Sequence, residues 1–197
     1  MPRVVDHDAR RRDIVEALLA IAARDGLHAA TSRAIAAELG VATGALWHYF
    51  PNFDAVLSAA FGTVFARTNA RIDEVTRGRS GLDAVRAMMR EILPTGKETQ
   101  DEAHLVVGFW GRVAVDPGIA SHQIDYEVVW RARLDELLRQ AIANGELVPG
   151  TDVQGIVDLL IVLSAGQQVS FVLGSALGAP EKQLPLVEVT FAPWLSR

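Results

Sequence analysis

The run from Leu27 to Asp54, LHAATSRAIAAELGVATGALWHYFPNFD, restricts the fold more than any other part of this chain. Its punctuation predicts two short helices and the start of a third. Thr31 is suited to cap a helix, because its hydroxyl accepts an orphan backbone N–H at the helix start. Ile35 and Leu39 then fall four apart on one face. Gly40 ends that helix, at a left-handed position that glycine takes without strain. Val41 is expected to pack down, and a second short helix to carry Thr43 to Phe50. Leu46 and Phe50, four apart, would point inward and leave Thr43, Gly44, Trp47 and His48 on the other face. Pro51 stops that helix, since the residue before a proline avoids the α region. Asn52 suits the cap of the next one, and Asp54 suits its positive end. Upstream, Asp8 to Asp25 carries Ile14, Leu18 and Ile21 on one stripe and closes at Gly26. An amphipathic helix followed by two short ones across a glycine turn makes a helix-turn-helix.

The same residues carry a family resemblance. Thr31-Ser32-Arg33, Ile35-Ala36, Leu39-Gly40-Val41 and Gly44-Ala45-Leu46-Trp47-His48-Tyr49-Phe50 resemble the N-terminal domain of TetR-family transcriptional repressors. The spacing from glycine turn to aromatic cluster, and on to the next helix, makes the likeness specific. The motif covers about a quarter of the chain. The resemblance implies a helix-turn-helix DNA-binding domain over residues 1–51 and a helical ligand-binding and dimerisation domain over residues 52–197. It implies a repressor that binds a palindromic operator in double-stranded DNA and is released by a small-molecule effector; the aromatic and methionine residues given below make a small, largely apolar effector the expected one. It also implies a homodimer built through the last two helices. By the same resemblance, Thr31, Ser32, Arg33, Thr43, Gly44, Trp47, His48 and Tyr49 contact DNA. Two positions depart from the family pattern. Ala42 replaces a small capping residue, so Thr43 is left to cap. Phe53 stands where the family usually has a lysine that holds a phosphate.

Charge is modest for such a partner. The net charge is −5, yet residues 1–50 hold six arginines and six acids and sum to zero. The whole excess of acid lies beyond the head, so DNA affinity must come from a few placed arginines. Arg10, Arg11 and Arg12 are either a solvated helix start or an arm toward the DNA backbone or minor groove.

Half of the 197 residues are hydrophobic and 22% are charged, which suits a packed core and argues against disorder. Cysteine is absent, which excludes disulfides and thiolate metal sites. The N-terminal segment is polar and then amphipathic, unlike a signal peptide, and a cytoplasmic protein is expected.

The periodicity beyond residue 51 reads as helices throughout, giving an all-α protein of about nine helices. Asn52 to about Thr76 turns Val56, Leu57, Phe61, Val64 and Phe65 inward. Leu82 to Leu93 carries Leu82, Val85, Met89 and Ile92. Asp101 to Val115 carries Leu105, Phe109 and Val113. A turn at Asp116-Pro117-Gly118 leads into a long helix ending at Asn144-Gly145. That helix has Ile124, Val128 and Leu138 on one side and Trp130, Leu134, Leu137 and Ala141 on another. Asp152 to Leu177 is the most apolar segment and approaches a membrane span in length. Gln167-Gln168 in its middle opposes insertion into lipid, so no membrane partner is expected, and much of it should meet a second subunit. Gly174 and Gly178, four apart, would let two helices approach closely. Leu184 to Leu195 closes the chain.

Other chemistry finds little support. Asp101-Glu102-Ala103-His104 spells a helicase motif, but no phosphate-binding glycine loop accompanies it. Ser121, His122 and Asp125 crowd one helical turn without the strand-turn elbow of a hydrolase. The histidines lack metal spacing. No enzyme, cofactor or metal is therefore expected; the alternative is a helical small-molecule-binding protein or enzyme whose head binds no DNA. The remaining mixture of aromatics, methionines and scattered polar groups suits a ligand pocket. It comprises Phe61, Phe65, Met88, Met89, His104, Phe109, Trp110, Trp130, Gln167 and Phe171, with Arg112 and Gln168 as further polar anchors.

Overall fold

The computed structural model describes residues 6–115 and 121–196, with the backbone alone for Val115 and residues 121–126. The turn expected at Asp116-Pro117-Gly118 and the side chains of Ser121, His122, Ile124 and Asp125 lie outside the described residues. No strand occurs among the described residues; one isolated bridge joins Leu147 to Leu195.

Eight α-helices are described: α1 (His7–Asp25), α2 (Ser32–Glu38), α3 (Phe53–Thr76), α4 (Gly81–Ile92), α5 (Lys97–Val115), α6 (Ser121–Ala143), α7 (Val153–Val172) and α8 (Pro180–Phe191). A six-residue 3₁₀ helix, Thr43–His48, follows α2. The chain packs as two compact units. The first takes the described residues up to Phe65 and those from His104 onward in α5; the second takes Ala66–Ala103 and the residues from Ser121 on.

In the first unit, Asp6 caps α1 by accepting the amides of Asp8 and Ala9, both at 3.0 Å. Ile14, Leu18 and Ile21 are buried as their stripe predicts. Ile35, Leu46 and Phe50 join them, so the head has a core of its own.

The second unit is centred on one apolar cluster. The predicted α4 stripe of Leu82, Val85, Met89 and Ile92 is wholly buried there, with Leu134, Leu138, Leu160, Val187 and Phe191. On α6 the two-sided expectation holds for Leu138, which is buried, and fails for Val128, which is exposed. Helix α4 lacks a local cap: the Ser80 side chain makes no capping bond. Instead Glu146, 64 residues further on, accepts the Leu82 amide at 2.9 Å. Any Cβ at Gly81 would lie 1.8 Å from that carboxylate oxygen, and Gly81 sits at φ +58°.

Several ionic links tie helices in this unit, and two of them have forked geometry. Arg86 makes a forked contact with Glu188 at 2.7 and 2.8 Å, joining α4 to α8. Arg71 of α3 meets three carboxylates: Glu91 at 3.0 Å, Glu98 at 2.9 Å, and Glu102 bidentately at 2.7 and 3.0 Å. Burial pushes the Glu102 carboxyl above its ordinary range, and the bonds and charge of Arg71 bring it only partly back.

Helix α7 ends sooner than its composition predicts. Asp152 caps it, accepting the Gly155 amide at 3.0 Å. It stops at Val172 because Gly174 turns left-handed, at φ +66°, and Ser175 N donates to Ser170 O at 2.9 Å in a C-terminal cap. Gly178 lies in a separate short turn, where an added Cβ would sit 2.2 Å from the Phe171 amide nitrogen. The two glycines therefore share no helix face, and the close approach at Gly178 is made within one chain. The last helix starts at Pro180 rather than Leu184, with proline in its first turn, where its missing N–H is not needed. Pro185 lies inside it, and the helix continues to Phe191. Gln183, fully buried, donates to the carbonyls of Pro94 at 3.2 Å and Gly178 at 3.0 Å.

Candidate nucleic-acid interface

The head presents one polar, exposed face, and its local sequence accounts for that face. The Thr31 hydroxyl accepts the Ala34 amide at 3.2 Å and so starts α2. Ser32 and Arg33 follow in its first turn, with Arg33 exposed. Gly40 takes φ +66°, and the Val41 amide returns to Ala36 O at 3.0 Å. Val41 does not pack down as expected: the turn leaves it exposed, on the rim of a hollow of about 140 Å³ shared with Ile14, Leu39 and Tyr49.

The second short helix is a 3₁₀ helix rather than an α-helix, and it ends at His48. Its first residue follows Ala42, which makes no capping bond; Thr43 makes none either among the described contacts and is half-buried, one three-residue turn before Leu46. Leu46 and Phe50 are buried as predicted. Trp47 is not part of the aromatic core: it is 41% exposed, because the residue after Leu46 points well away from the inner face of a three-residue turn. Gly44, Trp47 and His48 are exposed, with half-buried Thr43 beside them, and a Cβ at Gly44 would touch nothing within 4 Å.

Tyr49 is held from α1. Arg11 Nη1 donates to the Tyr49 carbonyl at 2.5 Å, and the Arg11 guanidinium carbon lies 4.2 Å above the centre of the Phe50 ring. The ring of His7 packs against that of Tyr49 at 4.8 Å, tilted by 54°. The arginine run is therefore helical and partnered. Arg10 faces Asp13 at 3.3 Å and Arg12 faces Asp6 at 3.9 Å. Arg24 meets Asp25 and Glu38. Among the described residues of the head, Arg33 alone has a guanidinium with neither a carboxylate nor a carbonyl partner. The Arg11 contacts escaped sequence reasoning. His7 and Arg11 stand four apart, which places them on one helix face, but nothing local names a partner 38 residues away.

Beside the start of α2 lies an open cleft of about 530 Å³, lined by Thr31, Ser32, His28, Phe53, Leu57 and Arg112 among others. Asn52 caps α3 by accepting the Ala55 amide at 2.8 Å, so Phe53 opens the helix and its ring faces the cleft. Arg112 is bonded to Asp54. Leu27 fits against Gly108, where a Cβ would approach within 2.2 Å.

The candidate ligand residues divide between the two units. In the first, Phe61 stacks on Phe109 with ring centres 4.1 Å apart and planes 11° from parallel. Phe65, His104 and Trp110 belong to the same unit, with His104 exposed. In the second unit, Met88 and Met89 are fully buried in the apolar cluster. Trp130 Nε1 donates to Asn69 Oδ1 at 3.1 Å. Phe171 is half-buried, and Gln168 is buried. Gln167 is only 5% exposed, and its Oε1 accepts no hydrogen bond among the described residues. No cluster of three or more metal-ligating side chains occurs among the described residues.

Comparison with known proteins bears on both parts of the chain. Residues 14–60 match the family described as bacterial regulatory proteins, tetR family, and residues 81–190 match the BetI-type transcriptional repressor C-terminal family. The HTH-type transcriptional regulator PksA of Bacillus subtilis (strain 168) is 34% identical over 125 residues, which are 62% of this chain and 61% of that protein. The HTH-type transcriptional repressor KstR of Mycobacterium tuberculosis is 32% identical over 146 residues, 70% of this chain and 60% of that one. The chain thus matches about three fifths of the length of these curated relatives. A solved transcriptional regulator from Rhodococcus sp. Rha1 has a TM-score of 0.79 at 26% identity, covering 93% of this chain and 95% of its own. A regulator from Saccharomonospora viridis, solved in complex with choline, has a TM-score of 0.86 at 19% identity. That likeness covers 96% of this chain and 100% of the other, and shows the shared fold alone.

Proposed function

The chain belongs to the TetR family of bacterial regulatory proteins, and from that premise we propose that it is a ligand-responsive repressor, released from a palindromic operator by a small, largely apolar effector. The observation that carries the DNA reading is the exposed face of Gly44, Trp47 and His48, with half-buried Thr43 beside it, set on a buried base of Leu46 and Phe50. A half-exposed tryptophan beside hydroxyl, imidazole and bare backbone is suited to a groove wall and its phosphates. In this reading residues 1–51 read DNA and residues 52–197 bind the effector and dimerise. Thr31, Ser32, Arg33 and Tyr49 complete the contact surface, with the unpartnered Arg33 cation the natural phosphate ligand. The protein works in the cytoplasm, with no cofactor and no membrane partner.

Dimerisation is assigned to α7 and α8. Leu159, Val162 and Val169 are exposed along α7, Leu173 is exposed just past its end, and Val189 is exposed on α8. Such a stripe on a single chain marks an interaction surface. Two-fold pairing would carry two reading helices, which reach successive major grooves when about 34–36 Å apart.

The direct test is selection of bound sequences from a random duplex pool, followed by affinity measurement on the winner. Thr43→Ala and Tyr49→Ala are each expected to weaken specific binding by roughly 1–3 kcal/mol. Full affinity in both variants rules out this docking.

The effector is argued from the stacked, buried ring pair Phe61–Phe109 of the first unit. A multiply charged guest would strand charges in such surroundings. Apolar metabolites with at most one polar or anionic head are expected to release the operator and to quench tryptophan emission at the same concentration, because the two events are linked. Release only by a multiply charged compound refutes that pocket chemistry.

A further inference from the structure

We propose that Arg11 is a positioning residue for the reading helix: it fixes the carboxyl end of Thr43–His48 from α1 instead of reaching DNA as part of an arm. The inference rests on the reading of Thr43–His48 as the element that enters DNA, but the clamp itself is a property of the free protein.

A six-residue 3₁₀ helix is poorly held by its own hydrogen bonds, and its last carbonyls are orphans. The amides of Tyr49 and Phe50 both return to Leu46 O, at 3.0 and 3.1 Å, which closes the last turn. The carbonyl just past the end, that of Tyr49, receives Arg11 Nη1 at 2.5 Å. A cation also suits the negative end of a helix. The carbon of the same guanidinium sits 4.2 Å over the centre of the Phe50 ring, and that ring is buried in the head core. One α1 side chain therefore grips two successive residues, at the point where the chain leaves the reading helix for Pro51. His7, one turn earlier on α1, steadies the Tyr49 ring from the same side. Arg10 and Arg12 differ, since each spends its charge on a carboxylate at the start of α1. Lysine cannot reproduce the Arg11 contacts, because an ammonium has neither the planar face nor the fixed fork.

Arg11→Lys and Arg11→Met distinguish positioning from phosphate contact. In the DNA-free protein, amide hydrogen exchange at Tyr49 and Phe50 is expected to speed up by about tenfold in both variants, with exchange in α7 unchanged as the control for folding. On duplex DNA, both variants are expected to lose about tenfold in preference for the selected site over random sequence, at an unaltered salt slope. A phosphate contact predicts the opposite: Arg11→Lys behaves as the parent, and Arg11→Met lowers the slope by about 0.9 at constant preference. That pattern, or unchanged exchange at Tyr49 and Phe50, overturns the proposal. If the parent protein binds no duplex while the exchange result holds, the clamp stands and the DNA reading falls.

Discussion

Val162→Arg is expected to convert the protein from dimer to monomer and to abolish binding to a two-fold DNA site. Val162 is 70% exposed on the single chain and lies on the α7 stripe between Leu159 and Val169, with Leu173, 76% exposed, further along. A two-fold interface meets the same residue twice, so one substitution buries two like charges. At about 3 kcal/mol for each unpaired charge, the dimer weakens by about four orders of magnitude. Because the side chain faces away from the core of its own chain, the monomer should keep its helical content. Sedimentation velocity at micromolar concentration reads the result directly. A Val162→Arg protein that still sediments as a dimer places the interface elsewhere, and the two-fold operator spacing would have to be argued from another surface.

Arg71→Met is expected to destabilise the second unit by about 2–4 kcal/mol at neutral pH, somewhat under the 3–5 kcal/mol for a fully buried pair. Arg71 is 21% exposed and is the only cation among the described contacts of Glu91, Glu98 and Glu102. Its removal leaves three carboxylates facing one another. The sign of the pH dependence follows from Glu102. Its carboxyl already titrates above the ordinary value in the folded chain, chiefly through burial. The stability contributed by such a group is present below its unfolded pKa and is lost as pH rises through the folded one. Without Arg71 the Glu102 carboxyl rises further, so the deficit of the variant should be largest near neutrality and shrink as pH falls toward the carboxylate range, about pH 4–5. Urea unfolding of both proteins at pH 7 and pH 5 measures this. A deficit that does not change with pH shows that Arg71 acts by packing rather than charge.

Much of the fold was legible because burial follows simple periods. The α4 stripe of Leu82, Val85, Met89 and Ile92 lies in the core as its spacing requires. Thr31 and Asn52 cap the helices that their position and chemistry assign to them. Errors arose where composition was read as conformation. The apolar run past Val172 looked like continued helix, yet Gly174 turns the chain, and hydrophobicity carries no information about that dihedral. An α period over Thr43–Phe50 puts Leu46 and Phe50 inside and Trp47 outside, as found, but the helix is wound as 3₁₀ and ends at His48. The contacts of Arg11 with Tyr49 and Phe50, and of Glu146 with Leu82, join residues far apart in sequence, and no local pattern encodes them. The candidate ligand residues are the least legible, since aromatic and methionine side chains serve a closed core and a ligand wall equally well, and Met88, Met89 and Phe109 are buried.

The capping of α4 by Glu146 also bears on the order in which the protein is made. Leu82 leaves the ribosome well before Glu146, and until that carboxylate arrives the first turn of α4 lacks the acceptor it uses in the folded protein. Ser80, the residue at hand, does not substitute. The apolar stripe of α4 meets a similar delay, because Leu134, Leu160 and Phe191 all follow it in the chain. During synthesis, α4 is thus an amphipathic segment waiting for partners, and the second unit gains cohesion late, once the α6–α7 connection has emerged. The head is different. Its contacts from Asp6 to Phe50 are complete within the first part of the chain to appear, so it can take shape while the rest is still being translated.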